Sequence, residues 1–367
     1  MRNSLSVSNR RAFLQQSACG FGSLALLQLL QQQHLKAADS TAPSDLSAAI
    51  PHFNPRAKRV IFLYMKGGPS QMDLFDYKPQ LASRDGKGLP YKLPSNEETV
   101  GLDDTKLMAP ISPFARRGES GLHMSKWFEH LGRHADDICV LKAMQSDSPN
   151  HGVAERQLHT GNLFDVTPSM GSWLSYGLGN ENDQLPAYIT ILPGEGERNY
   201  SSAFLPAIHQ GTAIQEVGIT AGRAPIRHLS DSSVSQDIQR QRVDLIKALN
   251  QEQLKRLDSD QEMEGVIQSF ELAFRMQSQT PKLVDLANES KATKDLYGVD
   301  MPETNQFGRQ CLLARRFAEA GVRFIQVTLN GWDHHNKIRS NLPRLTKQCD
   351  RPVAGLLTDL KQRGLLD

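Results

Sequence analysis

Apolar runs of strand length alternate with stretches of helical period, and this pattern restricts the fold more than any other feature. Val60 to Met65 is unbroken apolar sequence, as a strand buried on both faces requires. Ile138 to Met144, Ala187 to Leu192 and Val322 to Leu329 are three further strand candidates. Thr167 to Gly179 contains a short helix that Gly179 stops. Thr304 or Asn305 can cap a second helix, whose apolar face is Phe307, Cys311, Ala314 and Ala318 and whose stop is Gly321. Asn341 to Arg363 is a third, ended by Gly364. Strands alternating with helices predict an α/β fold, with a mostly parallel central sheet and helices on both faces. With 367 residues, 39% hydrophobic and 22% charged, the chain can build one large domain or two small ones.

Two regions depart from the alternation. Asp85 to Gly121 is rich in Gly, Pro and charge and reads as long loops. From Asp231 to about Asn288 the chain is helical in period and rich in Gln, Glu and Lys. Val243, Ile246, Leu249, Leu254 and Leu257 make one apolar stripe; Val266, Ile267, Phe270 and Phe274 make another. Each stripe leaves a wet face opposite. Thr280-Pro281 reads as a helix start. The region 231–290 is then a helical insertion on the main domain, or a set of helices flanking the sheet.

The N-terminus carries a different message. Arg10-Arg11 precedes Ala12-Phe13-Leu14, a mildly apolar stretch runs to Leu30, and small residues follow at Ala37-Ala38, with no acid before Asp39. That order describes a twin-arginine export signal over 1–38, followed by a linker over 39–56 and the folded domain over 57–367. The partner implied is the twin-arginine translocation machinery, and the destination is the periplasm or cell surface. Proteins using this route cross already folded, many because a metal or cofactor is inserted first. The apolar stretch contains Gln28 and is too short and polar for a stable membrane span. Loss of Arg2, Arg10, Arg11 and Lys36 with the signal reduces 42 basic residues to 38, against 40 acidic. Without a basic stripe, nucleic acid is excluded as a partner. Cys139, Cys311 and Cys349 are widely spaced and odd in number, which favours buried thiols over a disulfide framework.

Ligands of open parallel sheets bind beyond the carboxyl ends of the strands. Three strand candidates are followed by loops rich in Asp, His, Ser and Asn: Gly67 to Asp76, Ser146 to His151, and Asn330 to Asn336. Carboxylates and imidazoles meeting from separate loops suit a divalent metal, whether zinc, calcium or magnesium. Asp73, Asp76, Asp333 and His335 are the candidate metal ligands, with His151 as a catalytic residue, ligand or substrate contact. Each has a plainer alternative. Asp73 could cap a helix, Asp76 could serve a turn, His151 could hold a backbone carbonyl at a helix start, and Asp333 and His335 could be loop polarity. His334 is expected to point elsewhere. Ser70 is a conceivable nucleophile without an identifiable base.

The signal, the segment Gly67-Gly68-Pro69-Ser70-Gln71-Met72-Asp73-Leu74-Phe75-Asp76, the stretch from Asn150-His151 to Thr160-Gly161, and Gly331-Trp332-Asp333-His334-His335 together resemble the domain of unknown function 1501 family. Its members are exported bacterial proteins abundant in planctomycetes, many described as sulfatase-like. The resemblance implies the alkaline phosphatase and sulfatase superfamily, hence a metal site at the strand ends and hydrolysis of a sulfate or phosphate ester of a small molecule or glycan. Leu158-His159-Thr160-Gly161 is similar to the close of a sulfatase nucleophile segment, which sets His151 at the nucleophile position and Glu155 where arginine is expected. A histidine cannot become formylglycine. Family members also continue through another strand and an Asp-His motif, so the chain is expected to be incomplete at its C-terminus. The alternatives to a hydrolase are a non-catalytic exported binding or surface-associated protein and an inactive fragment.

Overall fold

The computed structural model describes residues 57–92, 105–194, 196–215, 226, 229, 233–254 and 261–366. The expected export signal and linker lie outside the described residues. In chain order the elements begin with strand β1 (Val60–Met65), short helices α1 (Gln71–Leu74) and α2 (Pro79–Ser83), and a hairpin of β2 (Phe114–Arg117) and β3 (Leu122–Ser125). Helices α3 (His151–Thr160) and α4 (Met170–Leu178) and strands β4 (Tyr188–Ile191) and β5 (Thr212–Ile214) come next. Helices α5 (Gln236–Leu254), α6 (Gln261–Val284), α7 (Lys291–Tyr297) and α8 (Asn305–Glu319) lead to strand β6 (Phe324–Leu329) and helix α9 (Ile338–Gln362).

The main sheet has the order β1-β6-β4-β5, and every pairing is parallel. Side chains alternate across a strand, so successive residues of β6 serve opposite cores. Ile325 and Val327 join Ile189 and Ile191 in the larger core with Phe307, Cys311 and Ala314 of α8 and Leu356 of α9. Phe324 points the other way and packs with Tyr188 and with Leu174 of α4. Gly171 allows α4 this close: a Cβ there would lie 2.7 Å from both Phe324 and Tyr188. The protein is therefore an α/β fold with a parallel sheet between helical layers. No helix among the described residues is long and apolar enough to cross a membrane.

The departures from expectation have local causes. Ile138 to Met144 is not a strand. A turn at Lys142-Ala143 breaks the run, and Leu141 and Met144 are 70% and 75% exposed. Cys139, in the same segment, is exposed, whereas Cys311 and Cys349 are buried. Hairpin β2–β3 occupies the end of the expected loop region. Pro281 does not start a helix; it lies in the last turn of α6, at the cost of the one i→i−4 bond its missing N–H would make. The buried face of α6 runs through Ile267, Leu272 and Met276, leaving Phe270 exposed.

One buried carboxylate ties α9 to the segment that follows β3. Asp350 accepts backbone N–H bonds from Glu129 (3.0 Å), His130 (2.9 Å) and Leu131 (2.7 Å). Replacement by alanine leaves these donors without an acceptor. Asp350→Ala should cost about 2–4 kcal/mol in a urea titration, and a loss below about 1 kcal/mol would contradict the assignment.

Candidate metal centre

Parallel pairing of β1 and β6 brings their following loops out of the sheet side by side. The ladder extends past both strands: the Lys66 N–H donates to the Leu329 carbonyl (2.9 Å), and the Trp332 N–H donates to the Lys66 carbonyl (3.0 Å). Trp332 is buried and anchors the second loop. Gly67 has φ +102°, and a Cβ there would stand 2.3 Å from the Asp333 nitrogen. Only glycine therefore lets the two loops close on each other.

Helix α3 supplies the third component. Asn150 caps it, accepting from the Val153 N–H at 3.3 Å, and Gly161 ends it in the left-handed region. Near that end, the His159 ring meets Tyr64 edge-on at 4.6 Å and Phe62 at 5.7 Å. The helix thus lies on β1 with His151 at the carboxyl end of the strand.

Here Asp333 Oδ1 is 3.0 Å from His335 Nε2 and 3.3 Å from His151 Nε2. One ligand atom from each of His151, Asp333 and His335 lies within 4.8 Å of the others. All three residues are exposed. Two imidazoles and a carboxylate are a donor set that fits zinc, and three protein ligands open to solvent match catalytic sites, which keep a position free.

Asp73 and Asp76 are outside this group. Asp73 is buried; its Oδ2 accepts the Ser70 hydroxyl (2.6 Å) and its Oδ1 the Ile111 N–H (2.7 Å). It fastens the segment before β2 to helix α1. Asp76 pairs with Lys78 at 2.8 Å and lies 3.9 Å from Lys142. His334 is not one of the trio. Burial lowers its pKa, and neither ring nitrogen has a partner among the described residues.

A cleft of about 920 Å³ adjoins the trio, with Lys66, Gly67, Gly68, His151 and Asp333 at its charged end. Glu155 forms its inner wall. The Asn199 amide donates to Glu155 Oε1 (2.8 Å), and Lys66 Nζ is 3.6 Å from Oε2. Burial, then the charge and hydrogen bonding of Glu155, raises the Tyr64 phenol pKa. No motif in the sequence marks Lys66 or Tyr64, and Glu155 stands out only as a departure from one. Two signals mark them: Phe62, Tyr64 and Lys66 share one face of β1 by period two, and His151, Glu155 and Leu158 share one face of α3.

A family model described as "Protein of unknown function (DUF1501)" matches residues 57–367. The chain belongs to that family. No curated protein and no solved structure matches the chain. The DUF1501 domain thus covers all the residues of the trio and the cleft.

Two buried histidines in the DUF1501 domain give it a pH signature away from the trio. Burial lowers His159 and His209 to about 4, from about 6.5 in an unfolded chain. His159 Nδ1–H donates to the Glu155 carbonyl (2.8 Å), and His209 Nδ1 bonds the Ser175 hydroxyl (2.9 Å). Between these values the unfolded chain takes up protons that the native state refuses. Their contribution is complete above about pH 6.5 and declines as pH falls toward 4, by up to about 1.4 kcal/mol per pH unit for each group. Denaturant midpoints at pH 7.5, 6 and 5 should show the decline, and His159→Gln should flatten it. Equal slopes for variant and wild type would refute the His159 assignment.

Proposed function

We propose that this DUF1501 domain is an exported, metal-dependent hydrolase of sulfate or phosphate esters, related to the alkaline phosphatase and sulfatase superfamily. The observation that carries the reading is the trio His151, Asp333 and His335, assembled from a helix start and a strand-end loop beside a large cleft. These residues would hold a divalent ion, most naturally zinc given two imidazoles. When bound, such an ion supplies Lewis acidity toward a phosphoryl or sulfuryl oxygen. The chain's own groups do the rest. Lys66 attracts the anionic ester, and Gly67-Gly68 lets the ester approach the backbone. Export by the twin-arginine route to the periplasm or cell surface follows from Arg10-Arg11 and the apolar stretch behind them.

The test is hydrolysis of aryl phosphate and aryl sulfate esters by metal-loaded protein, with Asp333→Asn as control. Turnover that the variant lacks supports the reading; none, with metal bound, refutes it. A non-catalytic exported binding protein is the second reading, favoured by His151 standing where a sulfatase has its nucleophile. Ester binding without turnover would select it.

A further inference from the structure

The cleft beside the trio is chemically polarised along its length. Helix α3 and strand β1 form opposite walls, and their site ends coincide. Lys66 and His151 stand at one end. Phe62, five positions along β1 with its own residue counted, and Leu158, two turns along α3, stand toward the other. At ~3.3 Å per strand residue and ~1.5 Å per helical residue, the walls extend roughly 10–13 Å away from the charged end. Over that distance the lining changes. Near the trio it offers the Lys66 ammonium, Gly67-Gly68 and the Asp333 carboxylate. Farther away it offers Phe62, Leu158 and Met144, with Tyr64, Glu155 and Gln157 between them. Leu158 and Met144 are large apolar side chains exposed at 46% and 75%, which the fold itself leaves uncovered among the described residues. Apolar atoms make up most of the cleft's lining surface, which favours an apolar group there over one covered in hydroxyls.

Given the ester-hydrolase reading above, on which this inference rests, we propose that the substrate is the phosphate or sulfate ester of an apolar alcohol, alkyl or aryl, rather than of a sugar. The oxyanion lies at Lys66 and the trio, and the organic group lies between Phe62 and Leu158. Fully burying each added methylene should tighten binding about fourfold.

The experiment is calorimetric titration of the full-length, zinc-loaded protein with butyl, hexyl and octyl phosphate, the matching alkyl sulfates, and glucose 6-phosphate. Affinity should rise about fourfold per methylene, octyl phosphate should bind well over tenfold more tightly than glucose 6-phosphate, and Leu158→Gln should reduce the increment. Leu158 is exposed, so this variant should fold. The phosphate and sulfate arms identify which oxyanion the charged end prefers. Affinity independent of chain length, glucose 6-phosphate binding as well as octyl phosphate, or no binding by any probe would overturn the inference. Asp333→Ala separates the two levels. If it retains both the affinity and the chain-length dependence, the metal reading fails while the apolar-ester inference stands.

Discussion

Gly67→Ala should lose both stability and metal binding, whereas Gly68→Ala, one residue later, should lose little of either. Both glycines have positive φ, +102° and +81°, so both substitutions carry backbone strain. Only at Gly67 does the new Cβ meet anything: Asp333 nitrogen at 2.3 Å, its Cβ at 2.8 Å and its Cα at 2.9 Å. These are backbone and near-backbone atoms, which cannot rotate out of the way. Relief requires the β6 loop to withdraw, and that movement carries Asp333 away from His151. Strain plus displacement should cost about 3 kcal/mol or more at Gly67, and about 1 kcal/mol at Gly68, where no atom lies within 4 Å of the added Cβ. Denaturant titration and zinc titration of the two variants provide the comparison. Equal effects would mean that the loop contact does not organise the site.

The second large effect concerns which acids would hold the proposed ion. Asp333→Ala and His335→Ala should each weaken zinc binding at least about 100-fold, since even outer-shell substitutions at zinc sites cost 10–100-fold. Asp73→Asn should instead leave zinc affinity within a fewfold of wild type and lower stability by about 1–3 kcal/mol. Its two oxygens are committed to Ser70 and Ile111. Competition against a chelating dye gives the affinities. A large loss in Asp73→Asn with little in Asp333→Ala would move the centre to the β1 loop and reverse the assignment.

These residues also show how far the sequence could be read. The β1 run was legible as six consecutive apolar residues, and the Val322–Leu329 run as five apolar residues in eight, each followed by glycine turn signals. The α8 face was legible because Phe307, Cys311, Ala314 and Ala318 repeat at helical spacing. Ile138 to Met144 is just as apolar, yet its turn at Lys142-Ala143 and its exposure come from tertiary placement, which composition does not encode. The strand-end rule pointed to the loops after β1 and β6, which parallel pairing sets side by side, but the segment before His151 follows no strand. It did not say which acid in the first loop turns inward, since Asp73 and Asp76 have the same chemistry and differ only in their partners. Assembly of the trio depends on β1 and β6 being neighbours and on α3 lying across β1. Those are long-range pairings that no local pattern specifies.

The most direct test of the account is the metal content of the mature protein purified from an export-competent host, beside Asp333→Ala prepared in the same way. About one divalent ion per chain in the wild type, lost in the variant, is the predicted result. No bound ion in either protein, or the same content in both, would contradict a metal centre built on His151, Asp333 and His335.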